Sequence, residues 1–387
     1  MKGRWPIASH PPAGRPISLG ALWRSRHSSA VSPWPDHDVR YFDSGTSALA
    51  EAVRQRACQM STRPVRVLLP AYGCPNLLAA VLAAEAKPEF IDIDADTLAM
   101  ASSPLHSAMQ RGDCLVVWVD MFGVPTAEGA EPALRDRLIH DLAQSYAPYL
   151  PGWRAVARHT IVSFGRAKPL SLTEGGALLT VPAPEPAPRV GPAADEPPES
   201  MSFRRLARLL LRAAIYNRCL GRVSYGVLRA LPTGVGDTEF TPLEQIRAVG
   251  NGTGRMAFEL RRELQRRVAD VEASTRAMCD LVERAGLPLH PLVRQGVVRS
   301  LWRVPVRHRS AAEAEFFANA AAPLGVSRLY GRSLPEFSGV AADAARERWP
   351  NAWNFARQLT TLPTHGRLDG AQIRRLGTLL EASRAAQ

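Results

Sequence analysis

Short apolar runs separated by amphipathic stretches set the pattern of the chain from residue 41 to residue 180. Val67-Leu68-Leu69, Phe90-Ile91-Asp92-Ile93, Leu115-Val116-Val117-Trp118-Val119, Leu138-Ile139-His140 and Thr160-Ile161-Val162 read as buried strands. Residues 46–59, 75–86 and 127–137 between them read as helices. Strand and helix alternating in this way predict an α/β domain with a largely parallel sheet. Residues 182–198 carry seven prolines and cannot form regular structure. Residues 201–231 are basic, with seven arginines and no acidic residue. Met256, Leu260, Leu264, Val268 and Val271 then recur at helical spacing and predict one long amphipathic helix. The remainder mixes a strand over Val297–Val304 with helices at 311–321 and 370–385, a pattern that suits a smaller α+β domain. The expected division is an extended arm over 1–40, a large domain over 41–200, an Arg-rich connection over 201–255, and a helix plus small domain over 256–387.

Composition adds bounds. The 387 residues suffice for two packed domains, and 46% hydrophobic with 22% charged content describes an ordinary globular protein. A formal net charge of +12 favours an anionic partner. A coding bias toward arginine accounts for it equally well, since Lys2, Lys87 and Lys168 are the only lysines. No zinc-finger spacing or basic-aromatic pattern points to nucleic acid. Cys58, Cys74, Cys114, Cys219 and Cys279 are scattered and odd in number, and they form no CxxC pair. That argues against a disulfide framework or a structural zinc, and for a reducing compartment. Neither a signal-peptide core nor a membrane-spanning run is evident, so the expectation is a cytoplasmic protein.

Four segments carry candidate chemistry. Ser44-Gly45-Thr46-Ser47 is a small-residue turn opening a helix, where backbone N–H groups and hydroxyls can cradle a phosphate; a plain N-cap is the commoner use of such residues. Asp141 follows the strand Leu138-Ile139-His140, with Gln144 three residues on. A carboxylate there can pair with a protonated pyridine nitrogen, or it can cap a helix. The stretch Ser163-Phe164-Gly165-Arg166-Ala167-Lys168 leads into the Gly175-Gly176 turn. Of the three lysines, Lys2 sits at the terminus and Lys87 precedes Pro88 at a surface position, which leaves Lys168 as the candidate for an imine-forming amine. Lastly, the strand at Val67 runs into Pro70-Ala71-Tyr72-Gly73-Cys74-Pro75.

In this order and spacing the segments resemble the DegT/DnrJ/StrS family of sugar aminotransferases. The likeness spans residues 41–180 and resumes at 326–383 with Ser327-Arg328-Leu329-Tyr330, Trp349-Pro350-Asn351-Ala352 and Leu362-Pro363-Thr364-His365. The resemblance implies the fold-type-I architecture of pyridoxal 5'-phosphate (PLP) enzymes: a large domain with a mostly parallel seven-stranded sheet flanked by helices, and a smaller C-terminal α+β domain. It implies PLP as cofactor, with its phosphate on Gly45, Thr46, Ser47 and Ser163. Asp141 would meet the pyridine nitrogen, Gln144 the ring or its hydroxyl, and Lys168 would form the Schiff base. The implied reaction moves an amino group from glutamate to a keto-sugar, nucleotide-linked, within a homodimer, in polysaccharide or glycan biosynthesis. Lysine rather than histidine at position 168 favours transamination over dehydration.

The chain departs from the family pattern in three places. Cys74 stands where relatives carry an aromatic residue over the PLP ring, so either Tyr72 substitutes or a smaller side chain covers it. The helical lead-in before Ser44 is shorter. Residues 181–255 do not match the family pattern, although Asn251 is a match for an asparagine that reaches the neighbouring subunit's phosphate. Gly250-Asn251-Gly252-Thr253-Gly254 mimics a dinucleotide fingerprint but follows no strand of a βαβ unit. The 201–231 segment reads as a solvated helix pair, an anionic sugar-nucleotide site or a peripheral membrane contact. Elimination or desulfuration chemistry, and a non-catalytic scaffold at a membrane glycan-assembly site, are the alternatives to transamination.

Overall fold

The computed structural model describes residues 9–14, 19–25, 28, 32–126, 135, 137–172, 174–182 and 239–385. The 201–231 segment, nearly all of the 127–137 helix, most of the proline-rich stretch and Cys219 lie outside them.

The expected arm over 1–40 holds a helix, α1 (Leu19–Ser25), and the start of β1 (Asp38–Phe42), which α2 (Gly45–Cys58) follows. The chain continues with β2 (Arg66–Pro70), α3 (Pro75–Ala83), β3 (Lys87–Ile91), α4 (Ser102–Gln110), β4 (Cys114–Val119), β5 (Leu138–Asp141), β6 (His159–Ser163), β7 (Gly176–Thr180) and β8 (Ala248–Val249). These strands form one eight-stranded sheet in the order β3-β2-β4-β5-β6-β7-β1-β8. Pairs within the β3-to-β6 run are parallel, and β6–β7, β7–β1 and β1–β8 are antiparallel. The uninterrupted apolar runs follow from this placement, because both faces of the central strands are covered. Val67, Leu69, Val117, Ile139 and Ile161 pack on one face against Leu49 and Val53 of α2 and Leu77 and Val81 of α3. Leu68, Val116 and Leu138, one residue out of phase, pack on the other face against Leu105 and Ala108 of α4.

The sheet has eight strands where seven were expected. The additional strand is Ala248–Val249, too short to leave an apolar run in the sequence. The expected single helix over 256–271 is two, α5 (Gly252–Arg266) and α6 (Val268–Arg284), because Arg267 leaves helical geometry at φ −119° and ψ 16°.

A two-stranded antiparallel sheet, β9 (Arg303–Arg307) with β10 (Leu359–Pro363), forms the second core. The helices α7 (Ala311–Ala321), α8 (Ala342–Arg348), α9 (Pro350–Gln358) and α10 (Gly370–Ala385) accompany it. Phe317, Leu376 and Leu380 pack with Val304, Val306 and Leu362. The strand expected over Val297–Val304 starts only at Arg303, and Val297 is exposed. Arg303 is fully buried, and its guanidinium donates to Ser327 Oγ at 2.9 Å and to the Gly325 and Thr361 carbonyls at 3.2 and 3.3 Å. Cys58, Cys74, Cys114 and Cys279 form no disulfide among the described residues, and no helix among them is long and apolar enough to cross a membrane.

One close approach fixes the functional end of the sheet. Gly176 opens β7 opposite Phe42 and Ser163, and a Cβ placed on it would lie 2.6 Å from the Gly45 N and Cα atoms. The start of α2 therefore sits directly on the β6–β7 edge. Gly176→Ala should cost about 2 kcal/mol or more, because backbone atoms rather than a flexible side chain must give way. A thermal melt of the variant checks this, and an unchanged midpoint would show that the two backbones have room to separate.

Candidate functional site

A cavity of about 270 Å³ opens at the carboxyl ends of β4, β5 and β6 and beside the N-terminus of α2, where ligands bind in sheets of this kind. It is lined by Ser44, Gly45 and Thr46 at the helix start, Cys74 after β2, Asp141 and Gln144 after β5, and Ser163, Arg166 and Lys168 after β6. Residues far apart in the chain thus meet around one space.

Ser44 caps α2, its hydroxyl accepting the Ser47 N–H at 3.1 Å. Ser47 is buried and donates its hydroxyl to Asp43 Oδ1 at 2.6 Å. Of the expected phosphate residues, Gly45, Thr46 and Ser163 line the cavity, whereas Ser47 braces the turn beneath it. Gly45 has no room for a side chain, since a Cβ would lie 2.8 Å from Ser163 Cβ. The helix start, its unpaired N–H groups and the Ser163 hydroxyl therefore converge, a geometry suited to an anion.

Asp141 is the last residue of β5 and is buried. Its Oδ1 accepts the Ala143 N–H at 2.8 Å. Burial pushes its carboxyl above the usual carboxylate range, against the opposing pull of that N–H and of the Lys168 charge. Immediately behind it His140 Nε2 stands 3.2 Å from Asp120 Oδ1, both side chains buried. Gln144 Oε1 accepts the Phe122 N–H at 2.8 Å, and its Nε2 faces the Tyr330 hydroxyl at 3.4 Å.

Lys168 lies on a tight loop. Its N–H donates to the Gly165 carbonyl at 3.3 Å, and Ala167 before it has φ 61°. The Trp302 indole N–H donates to the Ala167 carbonyl at 2.6 Å, and Lys168 Nζ stands 5.5 Å from the centre of the Trp302 ring. Lys87 is exposed at the first position of β3, away from this cavity.

Cys74, the residue before α3, lines the cavity, whereas Tyr72 is buried behind it. The Tyr72 ring meets Phe355 and Tyr330 edge-on at 4.9 and 6.0 Å, and burial raises its hydroxyl well above the ordinary tyrosine value. Asn251, the N-cap of α5, is exposed and does not line the cavity. Asp43, Asn76, Arg166, Glu174 and Gly175 line it although the sequence assigned none of them a role. Two of them carried a signal: Asp43 adjoins the Ser44 turn, and Gly175 belongs to the glycine pair after Lys168. Asp120 carried one too, because it follows its apolar strand as Asp141 follows its own.

The fold is like that of the fold-type-I PLP sugar aminotransferases. Residues 39–185 match the sequence model of the DegT/DnrJ/EryC1/StrS aminotransferase family. The matched segment is less than half of the chain, and over it the chain is similar to this PLP-dependent family. An L-glutamine:2-deoxy-scyllo-inosose aminotransferase of Streptomyces paromomycinus is 31% identical over 186 residues, spanning 46% of this chain and 42% of that protein. The chain thus spans less than half the length of this curated relative. Among solved structures, 3-amino-5-hydroxybenzoic acid synthase superposes with a TM-score of 0.67 at 13% identity, covering 99% of this chain and 100% of that one. The aminotransferase PseC of Helicobacter pylori, involved in pseudoaminic acid biosynthesis, gives 0.63 at 13% identity, covering 100% of both chains. Identities this low establish the fold.

The residues present fit PLP. A buried carboxylate whose burial disfavours its charge is answered by a cationic ring nitrogen, and a helix start with no room for a Cβ suits a phosphate. The buried carboxylate also has a cost in the protein without cofactor. A carboxyl whose folded value is raised contributes stability below its unfolded value, which is lost as pH rises through the folded value. Asp141→Asn should therefore raise the Tm of the cofactor-free protein at pH 7–8 by roughly 2–4 °C. The gap should narrow toward pH 5. Melting curves across that range check the sign, and a destabilised variant at pH 8 would show that Asp141 is already compensated.

Proposed function

We propose that this protein is a PLP-dependent aminotransferase that moves an amino group from an amino acid, glutamate or glutamine, to a keto-sugar or keto-cyclitol acceptor. The observation that carries the reading is the meeting of Lys168, Asp141 and the α2 start around one cavity at the strand ends. The relative from Streptomyces paromomycinus is named for glutamine as donor and a keto-cyclitol as acceptor, and that supports both classes. A nucleotide-linked acceptor, a role in polysaccharide or glycan biosynthesis, a cytoplasmic location and a homodimer belong to the same proposal. Exposure of Asn251 leaves it available to a second copy.

When bound, the cofactor supplies an aldehyde that carries the amino group and a ring that takes up electrons from the reacting carbon. Gly45, Thr46 and Ser163 would hold its phosphate through backbone N–H groups and hydroxyls. Asp141 would keep the proton on the ring nitrogen, and its burial strengthens that pairing by excluding water. Gln144 is held from two sides, by the Phe122 N–H and the Tyr330 hydroxyl, and would present its amide at the ring edge. Cys74 lines the wall where relatives carry an aromatic residue, so the ring would be covered by a smaller and more polarisable group. Lys168 would be joined to the cofactor at rest. The same Nζ, when not bonded to the cofactor, would take and return the proton of the substrate carbon.

Lys168→Ala should lower amino transfer by at least about 10²–10⁴-fold, the usual contribution of a positioned acid–base group, while the melting curve stays near that of the parent. Borohydride reduction of the PLP-loaded protein followed by peptide mapping should place the adduct on Lys168. An adduct on Lys87, or an active alanine variant, would overturn the assignment.

A further inference from the structure

We infer that Trp302 is a positioning residue for Lys168, tying the lysine loop and the Phe122 turn that holds Gln144 to the entrance of the small domain. The inference rests on the reading that Lys168 is the amine joined to the cofactor.

Trp302 immediately precedes β9, more than 130 residues beyond the loop it meets, and is buried. Its indole N–H donates to the Ala167 carbonyl at 2.6 Å, and its backbone N–H donates to the Phe122 carbonyl at 2.9 Å. Both targets sit on left-handed backbone, Ala167 at φ 61° and Phe122 at φ 59°. A residue with a Cβ costs about 1–2 kcal/mol there, so each turn needs a partner that holds it. The Phe122 N–H in turn fixes Gln144 Oε1. One side chain and its own backbone therefore hold two strained turns, one leading to Lys168 and the other to Gln144. The ring adds a direct contact, its face turned toward Lys168 Nζ at 5.5 Å, within reach of cation–π attraction.

Trp302 is fixed from behind as well. The Thr364 hydroxyl lies 2.8 and 2.7 Å from the Leu301 and Trp302 carbonyls, and the Leu301 N–H donates to Thr275 Oγ1 at 3.2 Å. The Arg303 guanidinium stands 5.8 Å from the same ring. The position of the lysine amine thus depends on how the small domain's first strand is seated.

The test compares the parent with Trp302→Phe, which keeps a ring and removes the indole N–H, and with Thr364→Val, which loosens the support without touching the ring. In cofactor-free protein, acylation of Lys168 by an amine-selective reagent, quantified by peptide mass spectrometry, should change several-fold in Trp302→Phe. It should change in the same direction, by less, in Thr364→Val. Capture of added PLP as a borohydride-stable adduct at Lys168 should slow about five- to tenfold in Trp302→Phe, the scale of one lost hydrogen bond. For amino transfer kcat should fall with little change in the donor's KM. Unaltered Lys168 acylation and PLP capture in both variants would overturn the role of Trp302. Absence of an adduct at Lys168 in the parent would overturn the cofactor reading instead, while the acylation comparison still decides whether Trp302 positions the amine.

Discussion

The functional end of this molecule depends on a contact between two stretches of backbone. Gly176 at the start of β7 lies against Gly45 at the start of α2, close enough that Gly176 has no room for a side chain, while Ser163 leaves none at Gly45. The Gly175 N–H donates to the Asp43 carbonyl at 2.7 Å, and the Asp43 carboxylate gathers the hydroxyls of Ser44 and Ser47 at 3.1 and 2.6 Å. Because the helix cannot withdraw, its unpaired N–H groups are held beside Ser163 at the end of β6. An anion-binding helix start is common; one pinned to the strand that also leads to the lysine is a constraint on geometry. The distance from a phosphate on this helix to an amine on the Lys168 loop is thereby set by backbone packing, which reorganises little.

The central strands were legible because burial on both faces leaves continuous apolar runs, and Leu138-Ile139-His140 located Asp141 through that rule alone. Lys168 could be found by counting, since arginine has displaced lysine almost everywhere else. The pairing of Gly45 with Gly176 left only its glycines as a trace. Ser47 and Tyr72 show where residue type misleads. A hydroxyl beside a phosphate-like turn faces an aspartate beneath it, and an aromatic ring near the site packs against Phe355 and Tyr330. Strand β8 was invisible because two residues carry no periodicity. Trp302 could not be read at all, since nothing local in Leu301-Trp302-Arg303 says which distant loop an indole will meet.

Electrostatics gives the site a direction. The chain is strongly cationic, and the cavity gathers Arg166, Lys168 and the positive end of α2. Against them Asp141 is set at the floor, buried, with the His140–Asp120 pair behind it. Burial works against the charged form of the Asp141 carboxyl, an effect that a cationic ring nitrogen would offset. On the proposed reading, a site arranged in this way would favour a ligand that is anionic at the helix start and cationic at Asp141. On the proposed reading, replacing Asp141 by a neutral isostere would relieve the fold and remove the partner of the ring nitrogen, an opposition between stability and function expected of active sites.

The same opposition explains the strained turns. Ala167 and Phe122 adopt left-handed backbone that glycine would take without penalty, yet neither is glycine. A glycine at 167 would relax the loop but would also let the following lysine sample many orientations. Alanine restricts those choices, and the Trp302 indole N–H on its carbonyl offsets the strain by holding the one conformation that is needed. Strain of this kind persists only where the surroundings over-determine it. Here the surroundings include Trp302, which immediately precedes β9 yet packs in the same core as Phe122 and Ala167, so a residue at the entrance of the small domain helps to hold the loop before the lysine.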